Sequence, residues 1–475
     1  MKSPHVLLIN PWIYDFAAYD FWIKPLGLLS IASVLEQQGY EISLIDCLDR
    51  FHPLQTESSG KYRSIKRKFG TGKFHRIPVE KPTFFNDIPR PFCRYGIDIE
   101  IFEKSLQNIP TPAVILVSSM MTYWYPGVFL AIKLVKKHFP NSPIVLGGIY
   151  ATLCKEHARQ NSGADYVIAG EGERPALELL EQLTHHITNW DIVPHKWADF
   201  PNPTFRFYSQ LPSLVVMTSR GCPYNCSFCA SHSLNGPYQQ RDPKRIVETI
   251  RFHHRTRHTQ HIVFYDEALL VRHDKHFDVM LNLLHAAKFP VIFHTPNGIH
   301  AKEITSDMAR LMYKTNFRTI RVSYETSNKQ RQKEMLYKVT DDALANSIDY
   351  FEQAGFQRKD IDVYVIMGLP EQPLDEVINS MIFVASLGAK VRLTSFSPIP
   401  GTLDWERSVS RHGFPADADP LLTNNTVYPL RTMDRGYTDY QQIRQLAKVL
   451  NYSLDQNINL FGQNTLSRLV WQNIR

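Results

Sequence analysis

Along the first 190 residues, short apolar runs alternate with longer stretches in which apolar positions recur every three or four residues; these are the periods of strand and helix. The run His5 to Ile9 predicts a strand, Pro25 opens a helix whose period lasts to Gln38, and Gly39 ends it. Further strands are predicted at Ile42 to Ile45, Ala113 to Val117, Ile144 to Leu146 and Tyr166 to Ile168, with a helix near Val128 to His138. This alternation implies an α/β domain over 1–190 with a doubly wound, Rossmann-like parallel sheet. Ligands of such sheets gather beyond the carboxyl ends of the strands. Those ends carry Asn10-Pro11-Trp12, Ser118-Ser119-Met120, Gly147-Gly148 and Gly170-Glu171-Gly172. Ser118, Gly147, Gly148, Gly170 and Glu171 are therefore candidate contacts, with glycines that let a ligand approach the backbone.

The alternation stops between about 48 and 110, where a basic insert holds Lys66-Arg67-Lys68, Gly70-Thr71-Gly72-Lys73 and Arg90-Pro91-Phe92. A solvated loop is the ordinary reading of such a charge run. The Gly-Thr-Gly-Lys element lacks the spacing and the trailing hydroxyl of a phosphate-binding loop. From Thr188 to Ser213 several prolines interrupt any period, which places a domain junction there. A second domain over 213–402 then repeats strand and helix: strands at Leu214 to Thr218, His261 to Tyr265, Val291 to His294, Thr319 to Tyr324, Asp362 to Met367 and Val391 to Phe396, with helices between them. Six such units predict a partial (β/α)6 barrel rather than the closed barrel of eight. Residues 403–475 are expected to form a short helical C-terminal cap.

Composition narrows the function classes. A chain of 475 residues with 43% hydrophobic and 21% charged residues is an ordinary multidomain globular protein. Its net charge of +7 is weak support for nucleic acid, and none is expected as a partner. No apolar run reaches the roughly 18 residues of a membrane helix, and Met1 to His5 leads into a strand instead of a signal peptide. A cytoplasmic protein without integral membrane association is the expectation.

Three of the six cysteines, Cys222, Cys226 and Cys229, fall within eight residues, directly after the first strand of the second domain. Cys47, Cys93 and Cys154 are scattered and read as small apolar residues. A structural zinc site closes with four protein ligands, and a closed four-iron cluster takes four thiolates. Three thiols would leave one iron of such a cluster open. Zinc held by three cysteines and a histidine such as His232, or simple clustering of buried cysteines, are the alternatives.

The pattern Cys222-x3-Cys226-x2-Cys229 after a strand, with the aromatic Phe228 before the last cysteine, resembles the cluster-binding loop of radical S-adenosylmethionine (SAM) enzymes. The resemblance extends from about Leu214 to Thr402. It implies a [4Fe-4S] cluster on the three cysteines and SAM chelated at the open iron. One-electron reduction of that SAM would yield a 5′-deoxyadenosyl radical. Other strand ends are similar to SAM-facing elements of that family. Asp266 and Glu267 would receive the SAM amino group, Asn297 follows the third strand, Ser323 and Glu325 follow the fourth with Glu325 toward ribose hydroxyls, and Gly368 would let the backbone approach adenine. Pro398-Ile399-Pro400-Gly401-Thr402 is similar to the family's closing turn.

The N-terminal sheet, with Gly147-Gly148-Ile149-Tyr150-Ala151-Thr152 and Gly170-Glu171-Gly172-Glu173, resembles the cobalamin (B12)-binding domain of one radical SAM subfamily. It implies a corrinoid over the strand ends. Two features depart from the pattern: no Asp-x-His-x-x-Gly element occurs, and Tyr150 stands where many relatives have His. The resemblance implies a cobalamin-dependent radical SAM enzyme, with methylation of an unactivated carbon of a small or lipid-like molecule as the leading reaction. Cyclisation, rearrangement or oxidation, with a non-methylating cobalamin or none, is the alternative, and a non-catalytic iron-sulfur or corrinoid sensor is a third reading. An electron donor such as flavodoxin or ferredoxin is the implied partner. The aromatic segments Trp12 to Trp22 and Met121 to Tyr125 read most simply as core.

Overall fold

The apolar runs of the first domain lie side by side. In a computed structural model, which describes residues 3–58, 68–335 and 338–458, β1 (His5–Asn10), β2 (Glu41–Asp46), β3 (Val114–Val117), β4 (Ile144–Leu146) and β5 (Tyr166–Val167) form one sheet in the order β2-β1-β3-β4-β5. Every pairing in it is parallel. Val6 to Ile9 and Val114 to Val117 are buried on both faces, as a parallel sheet covered by helices requires. Leu28, Ala32 and Leu35 of the helix Leu26–Gln37, with Leu177 and Leu180 of the helix Glu173–Thr184, pack on Val6, Leu8, Val114 and Leu116. The strand order reverses between β1 and β3, which makes their carboxyl ends the switch point of the sheet.

The insert differs from the solvated loop that its charges suggested. Arg76–Pro78 and Cys93–Tyr95 pair antiparallel with each other, and Cys93–Tyr95 also pairs with Ile13–Asp15. The helix Ile99–Gln107 follows and buries Ile101, Phe102 and Leu106. Strands of three residues are too short to show alternation, and one partner lies far upstream, so the pattern hid the sheet. Gly72 exchanges backbone bonds with Asp20 at 2.9 and 3.1 Å, and Gly70 O accepts from Arg50. The Gly-Thr-Gly-Lys element is thus a structural tie. Lys66 and Arg67 of the basic run lie outside the described residues, as do 459–475 of the expected cap.

In the second domain all six expected strands occur: β6 (Ser213–Val216), β7 (His261–Phe264), β8 (Ile292–His300), β9 (Phe317–Glu325), β10 (Ile361–Met367) and β11 (Lys390–Ser395). They stand in chain order as one sheet, β11-β10-β9-β8-β7-β6, a partial barrel with two edges. Several of its helices start where side chains cap them. Asp242, Thr305, Thr340 and Thr402 each accept a backbone N–H at the start of the helices at 243, 306, 341 and 403, bonds worth about 1 kcal/mol apiece. The helix Tyr437–Asp455 covers the β11 edge. Asn451 imitates a neighbouring strand there, accepting from Val391 N and donating to Val391 O at 2.8 Å. An open edge is thereby closed to other chains.

By contacts the chain divides inside β6. One unit takes the chain to Val215 with 233–239 and 418–426; the other takes Val216–His232, Gln240–Asp417 and the chain from Val427 onward. Residues 418–426 therefore belong to the first unit instead of forming one extension with the rest of the tail. The reason is a buried carboxylate: Asp15 accepts from Phe16 N, Trp124 Nε1, Asn424 Nδ2 and Thr426 Oγ1. Tyr125 O–H likewise donates to Asp419 at 2.9 Å.

Candidate functional site

Strand β6 hands the chain to the cysteine loop through Thr218 and Ser219, and Asp266 fixes that exit. Its Oδ1 accepts from Thr218 N, Thr218 Oγ1, Ser219 N and Ser219 Oγ at 2.9, 2.7, 2.5 and 2.7 Å. Its Oδ2 is buried without a partner, and burial raises the carboxyl to about 6 against these hydrogen bonds. Further on, Tyr224 O–H donates to Glu303 at 2.6 Å, Ser231 Oγ donates to Glu267 at 2.7 Å, and Ser227 is bound twice by Asp404, whose N reaches Ser227 O and whose Oδ2 accepts from Ser227 Oγ. The loop is tied at its entrance, middle and exit.

Cys222, Cys226 and Cys229 are free thiols, half-buried, buried and exposed in turn. Burial pushes Cys226 up to about 12 and raises Cys222, so metal binding is what would make them thiolates. Among the described residues no three His, Cys, Asp or Glu side chains are grouped to hold a single ion. His232 Nε2 is 3.1 Å from Tyr224 O. Three thiols along one loop suit a polynuclear cluster that keeps one iron open.

The other named residues form the wall beside this loop. Glu325 ends β9 in a left-handed conformation, φ 73°, where the register with β10 shifts; a strained residue of this kind costs on the order of 1–3 kcal/mol and marks functional sites. Its carboxylate lies 3.4 Å from Lys338 Nζ, both side chains about one-tenth exposed. Burial pulls the Lys338 ammonium down, but Glu325 together with Cys226 and Cys229 outweighs it and the group stays above its ordinary range. Sequence reasoning missed Lys338, which carries no motif and is brought here only by the return of the chain after the helix Lys329–Glu334. Phe228 packs on Met335, Ile366, Leu369 and Phe396, an apolar surface at the ends of β10 and β11. Gly368 has φ 93° and donates to Gln372 Oε1 at 2.8 Å, so a buried glutamine shapes the turn.

Asn297 and Gly298 depart from their expected place. They lie within β8, which runs on to His300 past an irregular register, rather than after it. Asn297 Nδ2 holds Tyr265 O at 3.0 Å. A Cβ on Gly298 would stand 2.1 Å from Ser323 Oγ, so Ser323 and Gly298 are packed together and only glycine fits.

In the first unit, Asn10, Pro11, Trp12, Ser118, Ser119, Met120 and Trp124 line a depression at the switch point of β1 and β3. Gly148 and Gly170 have φ 94° and 84° and stand on an exposed rim. A Cβ on Gly148 would lie 2.3 Å from Ser119 O, whereas one on Gly170 would meet nothing. Ser119 ties the rim, its Oγ donating to Gly147 O at 2.7 Å and its O accepting from Ile149 N. Ser118 is half-buried, and exposed Glu171 accepts from Gly236 N at 3.2 Å. Tyr150 is fully buried, its O–H 2.6 Å from His157 Nδ1, which makes it a core residue. A depression lined by Trp12, Met120 and Trp124, with a glycine rim tied to it through Ser119, suits a broad, flat ligand.

The radical SAM superfamily model matches residues 216–384 and the B12 binding domain model residues 96–180. An anaerobic magnesium-protoporphyrin IX monomethyl ester cyclase of Synechocystis sp. is 22% identical over 52% of this chain, which spans only 45% of that relative. Cytidylyl-2-hydroxyethylphosphonate methyltransferase of Streptomyces wedmorensis is 21% identical over 94% of this chain and 89% of its own length. Among solved structures, the radical SAM methyltransferase TsrM of Kitasatospora setae superposes with a TM-score of 0.64 at 13% identity, covering 95% of this chain and 89% of TsrM, which shows the shared fold. The chain thus carries a B12-binding domain over 96–180, which holds the glycine rim, and a radical SAM domain over 216–384, which holds the tied cysteine loop.

Proposed function

We propose that this protein is a cobalamin-dependent radical SAM enzyme that methylates an unactivated carbon of a small or lipid-like substrate. The observation that carries the reading is the cysteine loop, with three free thiols held at the ends of parallel strands and no fourth cysteine near them in sequence. When bound, a [4Fe-4S] cluster on Cys222, Cys226 and Cys229 supplies the electron that splits SAM into methionine and a 5′-deoxyadenosyl radical, and a corrinoid on the first unit supplies the methyl group.

This chain's own residues then position and shield. Lys338 offers a cation to the SAM carboxylate, and Glu325 and Glu267 offer acceptors to its ribose and ammonium groups. Phe228, Ile366, Leu369 and Phe396 give the adenosyl group an apolar wall that keeps water from the radical. Asp266 acts one step back, holding Thr218 and Ser219 so that the loop keeps its shape. Ser118, Gly147, Gly148, Gly170 and Glu171 form the corrinoid rim. The methyltransferase name of the relative aligned over most of both chains supports methylation, and the cyclase relative supports a second reading, radical ring formation. No described helix is long and apolar enough to cross a membrane. Free thiols suit the reducing cytoplasm, where a reduced flavodoxin or ferredoxin would serve as electron donor.

The test is anaerobic incubation of reconstituted protein with methylcobalamin, reductant and SAM bearing a deuterated methyl group, followed by mass spectrometry. 5′-Deoxyadenosine formation is expected, together with deuterated methyl on an organic acceptor supplied as a cell extract. Unlabelled, ring-closed products favour cyclisation. A fully loaded protein that leaves SAM intact contradicts the proposal.

A further inference from the structure

Below the SAM-facing strand ends, the concave face of the barrel carries charge that the proposed reaction does not use. Arg321 and Ser323 alternate along β9, so they share one side of the sheet. Tyr364 O–H, on β10, accepts from Arg321 Nη1 at 2.6 Å and donates to Pro296 O at 2.7 Å. Gly298 would contact both Ser323 and Tyr364 if it had a side chain, which confirms that these groups face inward together. Asp362 is shared by two guanidiniums: Arg392 Nε on β11 at 3.0 Å and Arg321 Nε at 3.6 Å. Two cations thus meet one carboxylate, and the patch keeps one positive charge in excess.

Arg392 differs from its neighbours in access. Its side chain is 49% exposed while Arg321 and Asp362 are 12% and 13% exposed. Its Nε meets Asp362 while about half of the side chain stays open to solvent. A planar guanidinium held on one side by a buried carboxylate and partly open to solvent is preorganised for a second planar or tetrahedral oxyanion.

We propose that Arg392, backed by Arg321, Tyr364 and Asp362, is the anchor for an oxyanion of the substrate, a carboxylate or a phosphoryl group. Arg321 and Glu325 are four residues apart on β9, roughly 13 Å at strand rise. A substrate anchored by its anion at this level would extend that distance to bring a carbon to the radical. The assignment rests on the proposed reaction for its purpose but not for its test, because the anion site needs neither cluster nor corrinoid.

The probes are inorganic phosphate, methylphosphonate and acetate, titrated calorimetrically into the full chain, with chloride at equal ionic strength as the control. Binding of one of them above the chloride background, weakened at least tenfold in Arg392→Ala and partly restored in Arg392→Lys, is the expected result. Preference for phosphate and methylphosphonate over acetate identifies a phosphoryl substrate, and the reverse a carboxylate. Arg392→Ala lies at an exposed position, and an unchanged thermal melt establishes that it folds. Equal binding by wild type and a folded Arg392→Ala, or no binding of any probe, overturns the proposal. If SAM cleavage is absent while the Arg392 dependence holds, the reaction assignment fails and the anion site stands.

Discussion

At the ends of β6 to β11 the chemistry is carried by side chains, each tied by another: cysteines on a loop held by Asp266, Glu303, Glu267 and Asp404, and a cation on a strained glutamate. At the ends of β4 and β5 it is assigned to backbone, a rim of glycines stitched by two hydroxyls, Ser119 and Thr152. The first kind of site loses function group by group when side chains are removed. The second is sensitive to volume at Gly148, where a single added carbon meets a carbonyl at 2.3 Å, and open at Gly170. A ligand held by one iron and several polar groups calls for the first construction, and a broad, flat one for the second.

The largest expected effect breaks one site and spares the other. Alanine at Cys222, Cys226 or Cys229 is expected to abolish iron retention after anaerobic reconstitution while corrinoid binding, read from the visible spectrum, is unchanged. The mirror experiment is Gly148→Ala. It should cost roughly 1–3 kcal/mol of stability through overpacking and abolish corrinoid binding, with iron content intact; full corrinoid occupancy in that variant removes the glycine rim from the account. Within the side-chain site, Lys338→Met and Glu325→Gln should each weaken SAM binding about tenfold, as lost charge-assisted bonds do, without loss of iron by elemental analysis.

The smallest effect lies on the barrel floor. His294, between His261 at 3.2 Å and Thr319 at 2.9 Å, is lowered to about 3 by burial and by His261. The unfolded chain then takes up its proton first, so His294 contributes stability above about pH 6.5 that is lost as pH falls toward 3. The melting temperature should drop over that interval, less steeply in His294→Gln. An identical pH profile in the variant shows that His294 contributes nothing.

Much of this was legible because the signals are local. The parallel strands announce themselves as apolar runs, and the cysteine spacing falls on one loop, which marks the proposed cluster site without any fold. What escaped was made by tertiary contact. Lys338 follows no motif and meets Glu325 only through the tertiary fold. Asp266 was expected to face SAM, yet its Oδ1 is taken by Thr218 and Ser219, a use visible only once β6 and β7 lie close. The end of β8 was placed before Asn297 because Pro296 reads as a terminator, whereas an irregular register carries the strand to His300. Three-residue strands of the insert carry too few positions for a period to show, and their partners are distant in sequence.

The most direct measurement is metal and corrinoid content of the anaerobically reconstituted chain, taken together with its optical spectrum. The account predicts about four irons and about one corrinoid per chain, the iron lost with any of the three cysteines and the corrinoid lost with Gly148→Ala. Iron that survives replacement of Cys226, or a chain that binds no corrinoid at all, contradicts it.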